Sequence, residues 1–222
     1  MRKTLGVLGG MGPAATLDFL AKLQGSTLAE KDEDHIRVVM DLNPRVPSRH
    51  FESDAATIEL AAMAVRLRDA GAEILAMPCN TAHVAREAIE QASELFLVDM
   101  LDEAVNEAAE VGGERVGMLS TSLSRGLYIE RMRIAGLQPV SLSPLAQEAL
   151  MEAIFRVKAG DFGEDVNQVM VAAAAELVRE GADAIIAGCT EVPLVLDESQ
   201  VAVPLIDATE ALARACVREC LG

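Results

Sequence analysis

The chain contains no tryptophan and a single tyrosine, and aromatic residues make up only 3% of it. Its core must therefore be assembled mostly from Ala, Val, Leu, Ile and Met, which the 51% hydrophobic content supplies in ample amount. Basic residues are scarce: 19 Lys and Arg stand against 35 Asp and Glu, for a formal charge of −16. No Lys/Arg stripe interrupts that excess, which argues against nucleic acid as a partner. An anionic small molecule stays open, because a site can be locally basic. Long apolar runs are missing too, and nothing reaches the roughly 20 residues of a membrane span. Arg2-Lys3 before an apolar stretch imitates a signal peptide, but Gly9-Gly10, Gly12-Pro13, Asp18 and Lys22 break it. The four cysteines, Cys79, Cys189, Cys216 and Cys220, have neither disulfide-framework nor zinc spacing. They point to a reduced, cytoplasmic setting without a metal centre. Cys216 and Cys220 read as semi-buried residues of a C-terminal helix.

Periodicity and punctuation predict strands at Thr4 to Leu8, His35 to Leu42, Ala72 to Met77, Phe96 to Val98, Arg115 to Thr121, Pro139 to Leu142, Ala182 to Ala187 and Val203 to Asp207. Helices are predicted over Ala14 to Leu28, Asp54 to Ala70, Thr81 to Ala92, Leu101 to Val111, Gln147 to Lys158, Val166 to Arg179 and Ala208 to Cys220. Asn43 to His50 is a loop, since two prolines in four residues forbid regular pairing. Thr121 to Tyr128 reads as a polar loop. Strands alternating with helices throughout imply an α/β fold with mainly parallel sheets.

An internal repeat sets the expected architecture. Asp69-Ala70-Gly71-Ala72-Glu73-Ile74-Leu75-Ala76-Met77-Pro78-Cys79 matches Arg179-Glu180-Gly181-Ala182-Asp183-Ala184-Ile185-Ile186-Ala187-Gly188-Cys189 in its helix-stopping Gly, following acid, apolar strand and terminal Cys. Gly6 lies 73 residues before Cys79, and Gly117 lies 72 before Cys189. The expectation is two pseudo-symmetric three-layer α/β/α units, 1–100 with Cys79 and 101–222 with Cys189, the last helix free to cross over. Ligands of open α/β sheets bind beyond the carboxyl ends of the strands. A pseudo-two-fold would thus face both cysteines into one cleft, the expected active site.

Two thiols on opposite sides of a small molecule suit inversion of a stereocentre: one thiolate removes a proton from carbon, and the other thiol returns one to the opposite face. A thiol at a strand end and helix N-terminus is expected to favour the thiolate. The carbanion needs fixed donors, which Asn80, Thr81 and Thr190 are placed to supply. An acidic substrate needs cations, and Arg49 and Lys158 are the candidates. His83, one helical turn from Cys79, reads equally as an assistant or as a structural hydrogen bonder. Glu191 reads as a helix-starting acid or a tuner of Cys189. Asp207-Ala208-Thr209 reads as helix capping.

With these residues in view, the chain resembles the cofactor-independent aspartate/glutamate racemase superfamily, most closely its aspartate racemase branch. The resemblance rests on Leu8-Gly9-Gly10-Met11-Gly12-Pro13-Ala14-Ala15-Thr16, Met77-Pro78-Cys79-Asn80-Thr81-Ala82-His83 and Gly188-Cys189-Thr190-Glu191-Val192-Pro193-Leu194. Asn43-Pro44, Pro47-Ser48-Arg49 and Val157-Lys158-Ala159-Gly160 add to it. It implies Cys79 and Cys189 as the paired acid/base residues, with Met11, Asn80, Thr81, Thr121 and Thr190 around the amino acid. It implies Arg49 for the distal carboxylate and Lys158 for a carboxylate. It also implies a homodimer and no pyridoxal phosphate or other cofactor. Two stretches depart from the family pattern: Thr121 to Tyr128 lacks the usual Gly-Thr, and Pro47-Ser48-Arg49-His50 replaces Pro-Asp-Arg-Thr. Both lie where substrate would be read.

Three other readings compete. Gly10-Met11-Gly12-Pro13-Ala14-Ala15, with Asp41 ending the second strand, fits a dinucleotide fingerprint and would make the chain an NAD-dependent oxidoreductase. Against it, Pro13 removes a backbone donor where pyrophosphate would sit, and the duplicated Cys goes unexplained. A binding or regulatory protein could have kept the cleft without catalysis, but both cysteines are intact. Other superfamily chemistries at a carbon acid (a glutamate or broad-specificity racemase, hydantoin racemisation, maleate isomerisation, malonate decarboxylation) use one or two such cysteines. Both cysteines, with Arg49 and Lys158, favour a dicarboxylic amino acid.

Overall fold

A computed structural model describes residues 2–49 and 51–222. The chain forms two compact units, one taking the chain up to Met100 together with Thr209–Gly222, the other Leu101–Ala208. The first holds a parallel sheet of β1 (Leu5–Gly9), β2 (Val38–Leu42) and β3 (Ile74–Ala76) in the order β2-β1-β3. The second holds a parallel sheet of β4 (Arg115–Met118), β5 (Gln138–Val140), β6 (Ala184–Ala187) and β7 (Leu205–Asp207) in the order β5-β4-β6-β7. The predicted strand at Phe96 to Val98 is reduced to one parallel bridge, Leu75 to Leu97, in the position that β7 fills in the other unit. Every residue of β1, β3 and β6 is buried, the signature of parallel strands covered on both faces.

The described helices are α1 (Pro13–Ser26), α2 (Ser53–Asp69), α3 (Arg86–Ser93), α4 (Met100–Glu110), α5 (Ser122–Ile134), α6 (Pro144–Lys158), α7 (Glu164–Arg179) and α8 (Ala208–Leu221). From Thr209 onward, α8 belongs to the first unit. Cys216 and Cys220 on it are fully buried rather than semi-buried. Among the described residues no helix is long and apolar enough to cross a membrane.

The sequence repeat has a structural meaning at each position. Gly71 and Gly181 take φ of +95° and +90° and end α2 and α7. In both, the next N–H reaches back five residues, Ala72 to Leu67 and Ala182 to Leu177, closing the same left-handed cap. The repeated acid ties down the start of the central strand: Glu73 accepts from Thr4 N–H at 2.8 Å, and Asp183 accepts from Arg115 N–H at 3.0 Å. Gly6 and Gly117 sit mid-strand where a Cβ would meet Ala72 Cβ at 2.7 Å and Leu177 Cδ1 at 3.0 Å. Gly117 lets α7 press onto β4, and Gly6 makes room for Ala72, just past the end of α2.

Two expectations need correction. Thr121 to Tyr128 is not a loop. Ser122 starts α5, and its turns bury Ser124, Tyr128 and Met132 on one side while Gly126 faces open space. Nor does an α-helix follow Cys79 directly. Asn80–Ala85 is a 3₁₀ turn, and α3 begins only at Arg86. Packing of the buried Asn80-Thr81-Ala82-His83 segment overrides the helical pattern read from the sequence.

Candidate active site

Both cysteines lie four residues beyond paired strand residues, Leu75 and Ile185, at the carboxyl edge of their sheets. Around each, the chain folds back in a tight turn, closed on Cys79 itself in the first unit and on the residue before Cys189 in the second. Cys79 N–H bonds Met77 O at 2.7 Å, and Gly188 N–H bonds Ile186 O at 2.9 Å. The cysteine carbonyls then accept from Ala82 N–H at 3.2 Å and Val192 N–H at 3.0 Å. Each thiol is buried within its own unit's apolar core, with 4% and 5% exposure.

The two surroundings differ in charge. Cys189 Sγ donates to Glu191 Oε2 at 3.0 Å, and Lys158 Nζ donates to Glu191 Oε1 at 2.7 Å. Thr190 Oγ1 adds a bond to Oε2 at 3.3 Å. Glu191 is 2% exposed, so this carboxylate is buried between an ammonium and a thiol. Burial first, then the Glu191 charge, pushes the Cys189 thiol well above its ordinary range; Lys158 only partly opposes this. No α-helix starts at Cys189, only the short 3₁₀ turn Val192–Leu194, and the nearest charge is negative; at Cys79, where a helix N-terminus was expected to favour the thiolate, a 3₁₀ turn follows instead. Lys158, expected to meet a substrate carboxylate, is held by Glu191 in this structure.

Cys79 is followed by Asn80 and Thr81, with His83 bonded to its backbone. His83 Nδ1 lies 3.0 Å from Cys79 O, and Met100 N–H points at its Nε2 from 3.3 Å. A backbone N–H can only donate, so Nε2 is the acceptor and Nδ1 carries the proton to the carbonyl. His83 is thus a strut that ties the Cys79 carbonyl, through Nδ1, to the Met100 backbone, through Nε2. Asn80 and Thr81 are buried on the turn after Cys79, and Met11 shares its apolar cluster. Arg49 is half-buried on the Pro47 loop. Its NH1 bonds Pro47 O at 3.3 Å, and its buried Nε has no protein partner among the described residues. His50, the other departure in that loop, lies outside the described residues.

Thr121 caps α5, accepting from Ser124 N–H at 3.2 Å. Ser124 Oγ also reaches Gly188 O at 3.3 Å, and Gln147 Nε2 donates to Ser120 O at 3.0 Å. Sequence reasoning singled out neither Ser124 nor Gln147. The signals were there: Thr121 with Ser124 three residues on, and Ser143-Pro144 as cap and first turn of α6. Asp99 also went unnoticed. It is 5% exposed and takes Arg86 NH1 at 2.7 Å just before α4.

The dinucleotide reading loses its parts. Gly10 N–H is consumed by Thr16 Oγ1 at 2.9 Å, and Thr16 Oγ1 donates in turn to Gly12 O. Gly10 sits at φ +97° with the Asn43 backbone 2.4 Å from where a Cβ would stand, so this glycine makes room for protein rather than for a phosphate. Asp41, the would-be ribose ligand, is paired with Arg66 Nε at 2.9 Å.

A profile described as Asp/Glu/hydantoin racemase matches residues 8–216. The chain belongs to this family. It is 27% identical over 220 residues to the broad specificity amino-acid racemase RacX of Bacillus subtilis (strain 168), covering 96% of both chains. Among solved structures, Picrophilus torridus aspartate racemase superposes with a TM-score of 0.87 at 29% identity, over 98% of this chain and 94% of that one. An aspartate racemase homologue from Pyrococcus horikoshii OT3 shares the fold at a TM-score of 0.82 and 22% identity, over 99% and 100%. These matches agree with the two-unit parallel α/β architecture and with the family resemblance read from the cysteine motifs.

Proposed function

We propose that the protein is a cofactor-independent racemase of acidic amino acids, aspartate foremost, working by two-base proton transfer between Cys79 and Cys189. One observation carries the reading: each repeat ends its strand on a buried thiol, and one of these thiols is hydrogen-bonded to a carboxylate that can exchange its proton. In one direction Cys79 thiolate takes the α-proton and becomes a thiol. The electron pair left on carbon takes the proton of Cys189 Sγ–H from the other face, leaving Cys189 as thiolate. The reverse direction starts from the form this turnover leaves, Cys189 thiolate with Cys79 thiol. Reaching it from the other form takes a proton from Cys189, which Glu191 is in place to receive and pass to solvent, and a proton from solvent onto Cys79. Lys158 pairs with the other oxygen of that carboxylate at 2.7 Å. Asn80, Thr81, Thr121, Thr190 and Met11 are assigned to hold the substrate, and Arg49 to meet its distal carboxylate. Lys158 can also serve a substrate carboxylate if it leaves Glu191. His83 acts through the Cys79 backbone as a positioning residue. Free, buried thiols suit a reduced, cytoplasmic compartment, and a homodimer follows from the family resemblance.

Proton NMR in deuterium oxide tests this with each enantiomer of aspartate and glutamate in turn. The wild type is expected to exchange the α-proton and produce the opposite enantiomer, while Cys79→Ala and Cys189→Ala produce none. Absence of exchange with all four substrates sinks the acidic amino-acid assignment.

A further inference from the structure

The repeat that doubles the strands and the cysteines leaves one set of residues single. Leu97 and Leu205 share a register, paired with Leu75 and Ile185 four residues before each cysteine, and an aspartate follows two residues on, Asp99 or Asp207. The residues four and seven beyond the cysteine do not match. After Cys79 they are His83 and Arg86; after Cys189 they are Pro193 and Leu196. The second unit therefore carries its cysteine past the strand end without a histidine or an arginine at these places. Holding the fold together is not reason enough for the pair beside Cys79.

In the first unit these residues form a closed brace. Cys79 O takes the His83 Nδ1 proton at 3.0 Å, and Met100 N–H donates to Nε2 at 3.3 Å. That N–H belongs to the rigid peptide joining Asp99 to Met100, so its aim follows from where Asp99 is held. Arg86 NH1 holds it, donating to Asp99 Oδ2 at 2.7 Å. Arg86 is tied back in turn, its backbone N–H bonding His83 O. Asp99, His83 and Met100 are all buried, and a charge-assisted bond in such surroundings is stronger than a neutral one. A second branch from Arg86 bypasses His83: Nε pairs with Glu90 Oε2 at 3.4 Å, and Glu90 Oε1 accepts from Leu97 N–H at 3.0 Å.

We infer that Arg86 and Asp99 are positioning residues for Cys79, fixing through Met100 N–H the tautomer and orientation of His83 and hence the backbone that carries the thiol. Their effect on rate rests on the racemase reading; their effect on His83 does not.

Nitrogen-15 NMR of the histidine rings reads the brace in the intact protein, with His83 assigned as the ring missing from His83→Gln. Wild type is expected to show His83 protonated at Nδ1 and accepting at Nε2. Asp99→Asn keeps the side-chain shape and removes the charge. It is expected to move His83 toward the Nε2–H tautomer. It should also lower kcat roughly tenfold with KM changed less than about twofold, because a small misplacement of the reacting group costs rate rather than affinity. Adding Arg86→Met to it should cost no more than about another twofold, since the two residues act as one unit. Arg86→Lys, which keeps the ion pair but not the fork, should fall between Asp99→Asn and wild type. Glu90→Gln breaks only the other branch and should leave the His83 tautomer as in wild type and kcat within about twofold. A His83 ring that stays Nδ1–H in Asp99→Asn overturns the brace, as does a Glu90→Gln loss equal to that of Asp99→Asn. Wild-type α-proton exchange is read in parallel. A responsive His83 without exchange would keep the brace and remove the racemase reading; exchange with an unresponsive His83 would do the reverse.

Discussion

Replacing Glu191 by Gln keeps the shape of the side chain and removes its charge. In the wild type the thiol of Cys189 donates to Oε2 at 3.0 Å, and the carboxylate holds the proton on sulfur. A hydrogen bond to a charged group is worth about 1.5–3 kcal/mol, and one pKa unit is about 1.4 kcal/mol. The substitution should therefore lower the Cys189 pKa without returning it to its ordinary range, since burial, the larger cause of its elevation, stays in place. Lys158, released from Glu191, pulls in the same direction. The thiolate absorbance near the far ultraviolet, taken as the difference between each protein and its Cys189→Ser counterpart, reports the titration. Glu191→Gln together with Lys158→Met should fall between wild type and the single variant, because the opposing cation goes too. An unchanged or raised transition in Glu191→Gln would refute the assigned coupling. kcat/KM should decline about 10²-fold or more, the usual worth of a positioned acid/base group, and equally for both enantiomers, because their equilibrium constant stays at unity.

Two further outcomes follow from the geometry. A Cβ on Gly188 would stand 2.8 Å from Tyr128 Cε2 and 3.0 Å from Ser120 Cβ, both in fully buried residues. Gly188→Ala should shift Cys189 and cost about 10²-fold in racemisation rate, and a loss under twofold by NMR would contradict it. Cys220 is buried and its thiol is pushed up to about 11 from 9.0. A thiol whose pKa is raised by folding stabilises the fold below its unfolded pKa, and that share drains as pH rises through the folded value. Up to about 2 kcal/mol should thus be lost between about pH 9 and 11, with Cys189 adding to the trend. Urea midpoints across that window should fall less steeply in Cys220→Ala, and an equal slope would argue against Cys220 as a source.

Much of the fold was legible because parallel strands buried on both faces read as plain apolar runs, and because the repeat doubled each signal. Gly71 with Gly181, Glu73 with Asp183, and Gly6 with Gly117 each recur for a backbone reason that the structure makes explicit. What escaped was set by tertiary packing. The Ser-Leu-Ser-Arg-Gly start of α5 has the composition of a turn, and only the burial of Tyr128 and Met132 makes it a helix. The 3₁₀ turn after Cys79 has helical spacing but is drawn tight by His83, whose partner Met100 is 17 residues away. Lys158 and Glu191 are 33 residues apart, and no local pattern announces their ion pair.

The repeat places two thiols in equivalent positions and then makes them chemically unequal. Cys79 is followed by an amide and a hydroxyl with a neutral histidine bracing its carbonyl, whereas Cys189 is gripped by a carboxylate. For a racemase this inequality is not a defect. The two enantiomers are equally stable in water, so the equilibrium constant is unity and kcat/KM must be the same in both directions. A thiol that strongly retains its proton cannot alter that ratio. It can only redistribute kcat and KM between the enantiomers, by setting which protonation form of the free enzyme predominates. On the proposed two-base reading, a thiol that holds its proton suits Cys189 to the acid's part, and the enantiomer presenting its α-proton to Cys79 finds it so. On the same reading the mirror image needs that proton removed first, and the carboxylate that raises the Cys189 pKa is the group placed to take it, with Lys158 paired on its other oxygen.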